Sequence, residues 1–264
     1  MVKNLPSGVS ISIESHAQCW QRDIAFLHGN LASRRWWYPS IEVMKSMGGG
    51  AGTAHLLEFP GCGEAPAPKS LQEVNMFRWA ENFCSVLEQT ATAPMDLVGH
   101  STGGLVAALM LAHRPDLFHR AVLLDPVGAT GVHFEESMHG AFAAMKSDRE
   151  LTATVIGSTI YGNKPESLFF QNSIVPDAFH AVGSVGAWVL QALDGLDIRN
   201  QLKTVSSPVL VLHGEHDALL PVADSEALAA LLPQGQFEIF AGAGHCANVE
   251  LPKNLVEKMR SFLA

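Results

Sequence analysis

Residues 96–104 read DLVGHSTGG and place Ser101 between Gly99 and Gly103, where an apolar run meets a helix-like one. A strand-to-helix corner this tight strains the central backbone and leaves room only for glycine two positions to either side. What it provides is an exposed hydroxyl above a helix N-terminus, where free N–H groups and the helix dipole favour the anion of an acyl-transfer intermediate. A serine hydroxyl is a poor nucleophile until a base takes its proton, and that base needs a third group to hold its tautomer. Asp217 ends the apolar run VLVLHGEHD, and His245 lies in the loop after the next run, so the chain order is Ser101, Asp217, His245. Asp125, at the end of AVLLD, is the other strand-end carboxylate that could act as the acid; the Pro126 after it suits a structural strand end better.

Short apolar runs must position these side chains. Strands buried on both faces are expected at residues 23–29, 54–61, 95–100, 121–128, 207–217 and 236–240. Helices are expected from about Ser70, with Glu73 completing a capping box, from the nucleophile corner to Pro115, over residues 224–232, and from about Pro252 to the end. Strands alternating with helices imply an α/β fold, a mostly parallel, doubly wound sheet covered on both faces. Residues 129–200 break the rhythm with helical apolar spacing and no convincing strand. The expected organisation is a core of residues 1–128 and 201–264 with a helical unit inserted at 129–200.

With these pieces in place, the chain resembles the α/β-hydrolase superfamily, members with a helical cap, over almost its whole length. The matching segments are FLHGN, EFPGCG, GHSTGG, HGEHDALLP and GAGHCANVELP. The resemblance implies that the backbone N–H groups of Asn30 and Thr102 form the oxyanion hole. Two positions depart from the common pattern: Glu58 stands where many relatives have Asp, and Ala65 where they have Ser or Thr. Neither is catalytic, so the departures bear on the subfamily and leave the reaction type alone. A serine nucleophile excludes the dehalogenases of this fold, which use Asp.

The 264 residues carry 17 Lys and Arg against 26 Asp and Glu, a net charge of −9 with no basic stripe, which argues against a nucleic-acid partner. Hydrophobic residues make up 47% of the chain, yet no run approaches the roughly 18 consecutive apolar residues of a membrane span. No secretory-type leader stands at the start, and the four cysteines are scattered, so a cytoplasmic protein with free thiols is expected. His113, His119, His133 and His139 form no metal motif, and Gly48 to Gly52 lack the lysine of a phosphate loop and read as a flexible connection. His28 and His100 fit as hydrogen-bonding fillers beneath the site.

Trp36 and Trp37 are either core or pocket wall. Phe134, Met138, Phe142 and Met145 recur at helical spacing in the inserted segment, and with Trp188 they are expected to pack on the core and in part to roof an apolar pocket. The expected function is cofactor-independent, metal-free hydrolysis of an ester, lactone or thioester of a small molecule with an apolar portion. Carbon–carbon bond hydrolysis and acyl transfer share this machinery, and ligand reception with slow turnover is the alternative of another class. The oligomeric state is left open.

Overall fold

The computed structural model describes residues 1–5, 10–133 and 135–263. One sheet holds β1 (Val2–Asn4), β2 (Ser10–Trp20), β3 (Ile24–Leu27), β4 (Gly52–Glu58), β5 (Met95–His100), β6 (Phe118–Leu124), β7 (Val209–Gly214) and β8 (Gly235–Phe240), in the order β1-β2-β4-β3-β5-β6-β7-β8. The β1–β2 and β2–β4 pairs are antiparallel, and every other pair is parallel. The six apolar runs are the six parallel strands. The antiparallel pair at the start was not anticipated, although Ile11 and Ile13 alternate with less apolar neighbours and are both buried.

Continuous apolar runs are needed because each central strand feeds two cores. In β3, Ala25 and Leu27 join one cluster while Ile24 and Phe26 join the other; in β7, Val209 and Val211 separate in the same way from Leu210 and Leu212. The first cluster is covered by α2 (Met76–Glu88) and α3 (Thr102–His113), the second by α1 (Tyr38–Ser46) and, at the end of the chain, α11 (Pro252–Leu263). Between β6 and β7 lie α4 (Glu136–Met145), α5 (Arg149–Ser158), α6 (Val175–Ser184), α7 (Gly186–Leu193) and the short α8 (Arg199–Leu202). The remaining helices are α9 (Val222–Leu231), after β7, and α10 (Ala247–Glu250), after β8. Among the described residues no single helix is long and apolar enough to cross a membrane.

Two local expectations are corrected. Ser70 and Glu73 form no capping box: Val74 is extended, and α2 starts only at Met76, where the Asn75 side chain accepts the Arg78 N–H at 3.0 Å. The Gly48–Gly52 connection is packed closely in part: a Cβ on Gly50 or Gly52 would lie 2.3 Å from Trp20 O or 2.1 Å from the Arg22 carbonyl, while one on Gly48 would meet nothing within 4 Å.

The segment between β6 and β7 is tied to the loop after β3. Ser33 Oγ donates to Asp177 Oδ2 at 2.6 Å, Arg35 pairs with the same carboxylate, and Asn30 Nδ2 donates to Gly186 O at 3.0 Å. Buried Glu58 holds the other side of that loop, accepting Arg34 N–H at 2.9 Å and Arg34 Nη1 at 2.7 Å.

Close backbone contact between α3 and the end of β3 makes Gly103 intolerant of a methyl group, because its Cβ would stand 2.3 Å from His28 O. Gly103→Ala is expected to cost at least about 2 kcal/mol in urea unfolding. Gly140, inside α4 with nothing within 4 Å of its Cβ position, serves as the control. Gly140→Ala is expected to be neutral or to gain up to about 1 kcal/mol.

Candidate active site

The carboxyl ends of β3, β5, β6, β7 and β8 are followed by Asn30, Ser101, Asp125, Asp217 and His245 respectively. In an open parallel sheet this edge is where ligands bind. Ser101 sits at φ 54°, ψ −121°, a conformation that costs a non-glycine residue of order 1–3 kcal/mol. Hydrogen bonds offset that strain: Ser101 N–H donates to Leu124 O at 2.9 Å, and Ser101 O accepts Gly104 N–H at 2.9 Å and Val127 N–H at 3.1 Å. The glycines are required sterically, since a Cβ on Gly99 would lie 2.3 Å from Gly103 O.

Thr102 opens α3, and Asn30 opens the turn that follows β3. Among the described residues neither N–H has a hydrogen-bond acceptor, so both are available to an anion. The Asn30 side chain is already committed, with Oδ1 accepting Leu31 N–H at 2.9 Å and Nδ2 on Gly186.

His245 Nδ1 donates to Asp217 Oδ2 at 2.8 Å, which leaves Nε2 as the basic nitrogen. Burial alone would raise the Asp217 carboxyl, but the bond from His245 and the N–H groups of Leu219 (2.7 Å) and Leu220 (3.1 Å) outweigh it and hold it below the usual carboxylate range. The loop that carries His245 is pinned from two sides. His100 Nε2 donates to His245 O at 2.8 Å, and Glu250 accepts Gly244 N–H at 2.6 Å and Cys246 N–H at 3.0 Å. Burial first, then the neighbouring His245, push the His100 imidazole down to about 3, so it stays neutral. His28 is likewise a hydrogen-bonding filler, with Nδ1 on Gly29 O at 2.7 Å and Nε2 accepting Phe59 N–H at 3.2 Å.

Asp125 is not the partner of His245. Its Oδ1 accepts Gly214 N–H at 2.7 Å, and its Oδ2 is buried with no hydrogen-bond partner among the described residues. Burial and then the Asp217 charge raise Asp125 well above the usual carboxylate range, against the opposing Gly214 bond. His213 packs beside both, and ligand atoms of these three residues lie within 4.8 Å of one another. That clustering is explained by hydrogen bonding inside the protein, since His213 Nδ1 is on Ser225 Oγ at 2.9 Å and Asp217 on His245.

Ser101, Asn30, Thr102 and His245 all line one cavity of about 630 Å³. Trp36, Met138 and Phe142 are on its wall as the sequence suggests; Asp217 stands behind His245. Three expected pocket residues are elsewhere. Trp37, next to Trp36 on the turn Arg34–Trp37, points into the opposite core against Phe26, with ring centroids 4.9 Å apart. Met145 is fully buried at the end of α4, where its carbonyl accepts Thr152 Oγ1 at 2.9 Å. Trp188 lies two residues before the wall residue Leu190 on α7, about 200° around the helix, and faces away from the cavity. Phe134 lies outside the described residues.

The wall also uses Val155, Ile156 and Thr159 of the α5 region and Leu219, Leu220 and Pro221 just after Asp217. Sequence reasoning did not identify these. The apolar triplet two to four residues beyond a strand-end acid was the available signal.

A family model described as the alpha/beta hydrolase family matches residues 24–258. The chain is 27% identical over 260 residues to the sn-1-specific diacylglycerol lipase ABHD11 of Mus musculus, spanning 91% of this chain and 80% of that one. It is 26% identical over 214 residues to 2-hydroxymuconate semialdehyde hydrolase of Pseudomonas putida, spanning 77% and 73%. Among solved structures, the esterase RhEst1 from Rhodococcus sp. ECU1013 superposes with a TM-score of 0.78 at 25% identity, covering 99% of this chain and 97% of that one.

The upward shift of the Asp125 carboxyl has a measurable sign. Its folded pKa lies above the unfolded value of about 3.9, so unfolding releases a proton and its contribution to stability falls as pH rises through that window. Asp125→Asn keeps an acceptor for Gly214 without titrating. Its melting temperature relative to the parent is therefore expected to rise between pH 4 and pH 7; a flat or falling difference would mean that Asp125 is ionised in the folded chain.

Proposed function

Because the chain belongs to the alpha/beta hydrolase family, we propose that it is a cofactor-independent serine hydrolase that cleaves an ester or related acyl bond through an acyl-enzyme. The observation that carries this reading is the 2.8 Å bond from His245 Nδ1 to Asp217, which turns the basic nitrogen of His245 toward a cavity that Ser101 also lines. In the first step His245 Nε2 takes the Ser101 proton as Oγ attacks the carbonyl carbon, and the tetrahedral oxyanion is received by the N–H groups of Asn30 and Thr102. Asp217 stabilises the imidazolium. His245 then gives its proton to the departing alkoxide, and a water activated by the same nitrogen releases the acid and regenerates Ser101.

Residues 129–200 act in this proposal as a cap over the core of residues 1–128 and 201–264. Met138, Phe142, Val155 and Leu190 from the cap supply much of the apolar wall, which favours a small-molecule substrate with an apolar acyl portion. The lipase and esterase names among the relatives support acyl-bond hydrolysis.

The test is turnover of p-nitrophenyl esters of graded acyl length. Multiple turnover with an optimum at one length is expected, with kcat falling at least about 1,000-fold in Ser101→Ala and in His245→Ala, and comparably in Asp217→Asn. Turnover that survives Ser101→Ala would overturn the proposal. Saturable binding of an ester by the folded protein without turnover would replace it with the ligand-receptor alternative.

A further inference from the structure

We propose that the cavity selects acyl groups that carry no negative charge and rejects those ending in a carboxylate, a specificity that rests on the ester-hydrolase reading above. The wall contains two carboxylates, Asp194 and Asp224, and no lysine or arginine. Asp224 lies half-buried in the first turn of α9, beside Gly128, and among the described residues its side chain has no hydrogen-bond or ionic partner. The positive end of α9, the feature of this wall best suited to receiving an anion, is thus already occupied by a carboxylate of the chain itself.

The other polar groups on the wall do not compensate. His100 is held neutral, and the Cys246 thiol is pushed well above its ordinary range by burial, with Glu250 adding to the effect, so it also stays neutral. His245 is committed to Asp217, and the exposed His133 stands 3.4 Å from Asp194. A substrate carboxylate entering here would lose water, find no cation and meet two like charges. An uncharged acyl chain meets Met138, Phe142, Val155, Ile156 and Leu190 instead.

This separates the chain from one of its relatives. The Pseudomonas putida enzyme is named for 2-hydroxymuconate semialdehyde, a carboxylate, and at 26% identity the fold alone does not decide whether that preference carries over. The charge of the wall argues that it does not.

The full chain would be given three p-nitrophenyl esters of one length: the monoester of adipate, the same ester with its free carboxylate converted to a primary amide, and the corresponding chain ending in a trimethylammonium group. The expected kcat/KM for the carboxylate is about 30-fold or more below that for the amide, with the ammonium ester at least equal to the amide. The deficit should shrink as salt is raised, and shrink again in Asp224→Asn and in Asp194→Asn combined with it. The salt series needs no variant and stands even if a variant folds poorly. A carboxylate ester turned over within threefold of the amide would overturn the charge selection while leaving the hydrolase reading intact. No turnover of any of the three by folded protein would remove both.

Discussion

The positive φ of Ser101 is a constraint that the surrounding structure has to sustain. An L-residue does not remain there unaided, and the chain commits glycines at 99 and 103, a close crossing of α3 over the end of β3, and four backbone hydrogen bonds to keep it there. The same geometry points Thr102 N–H outward and places the hydroxyl at the edge where the neighbouring strands deliver their own residues. A parallel sheet suits this purpose because all its strand ends with the same polarity lie together, so residues distant in sequence meet without long loops.

Around that corner the polar groups form a connected chain. Asp217 receives Nδ1–H of His245, and His100 and Glu250 pin the backbone on which His245 rides. The links are buried or half-buried, where an unpaired polar group is costly, and so each specifies the orientation of the next. The helical segment joins this arrangement through Asp177, which binds Ser33 and Arg35, and through Asn30 on Gly186, so the loop proposed to offer one oxyanion donor is the loop to which that segment is tied.

Much of this was legible in the sequence because backbone demands leave strong residue signatures. Six apolar runs marked six parallel strands, and the glycines around Ser101 together with the strand-end positions of Asp217 and His245 marked the site. What was not legible depends on rotation and tertiary contact. Adjacent Trp36 and Trp37 differ only in which core they enter, and Met145 shares a helical stripe with Phe142 yet ends beneath the turn into α5. Trp188 is large and apolar but turned away from Leu190. The β2 strand was missed because its apolar alternation is short and polar residues follow it, and the start of α2 because Val74 interrupts a capping pattern that local sequence alone would favour.

The most direct measurement is the intact mass of the protein after exposure to an alkyl fluorophosphonate, followed by peptide mapping of the adduct. An activated serine is expected to take up one phosphonyl group, on Ser101, and to lose that reactivity in His245→Ala. A folded protein that remains unlabelled, or one labelled at another residue, would contradict the assignment of Ser101 as the nucleophile.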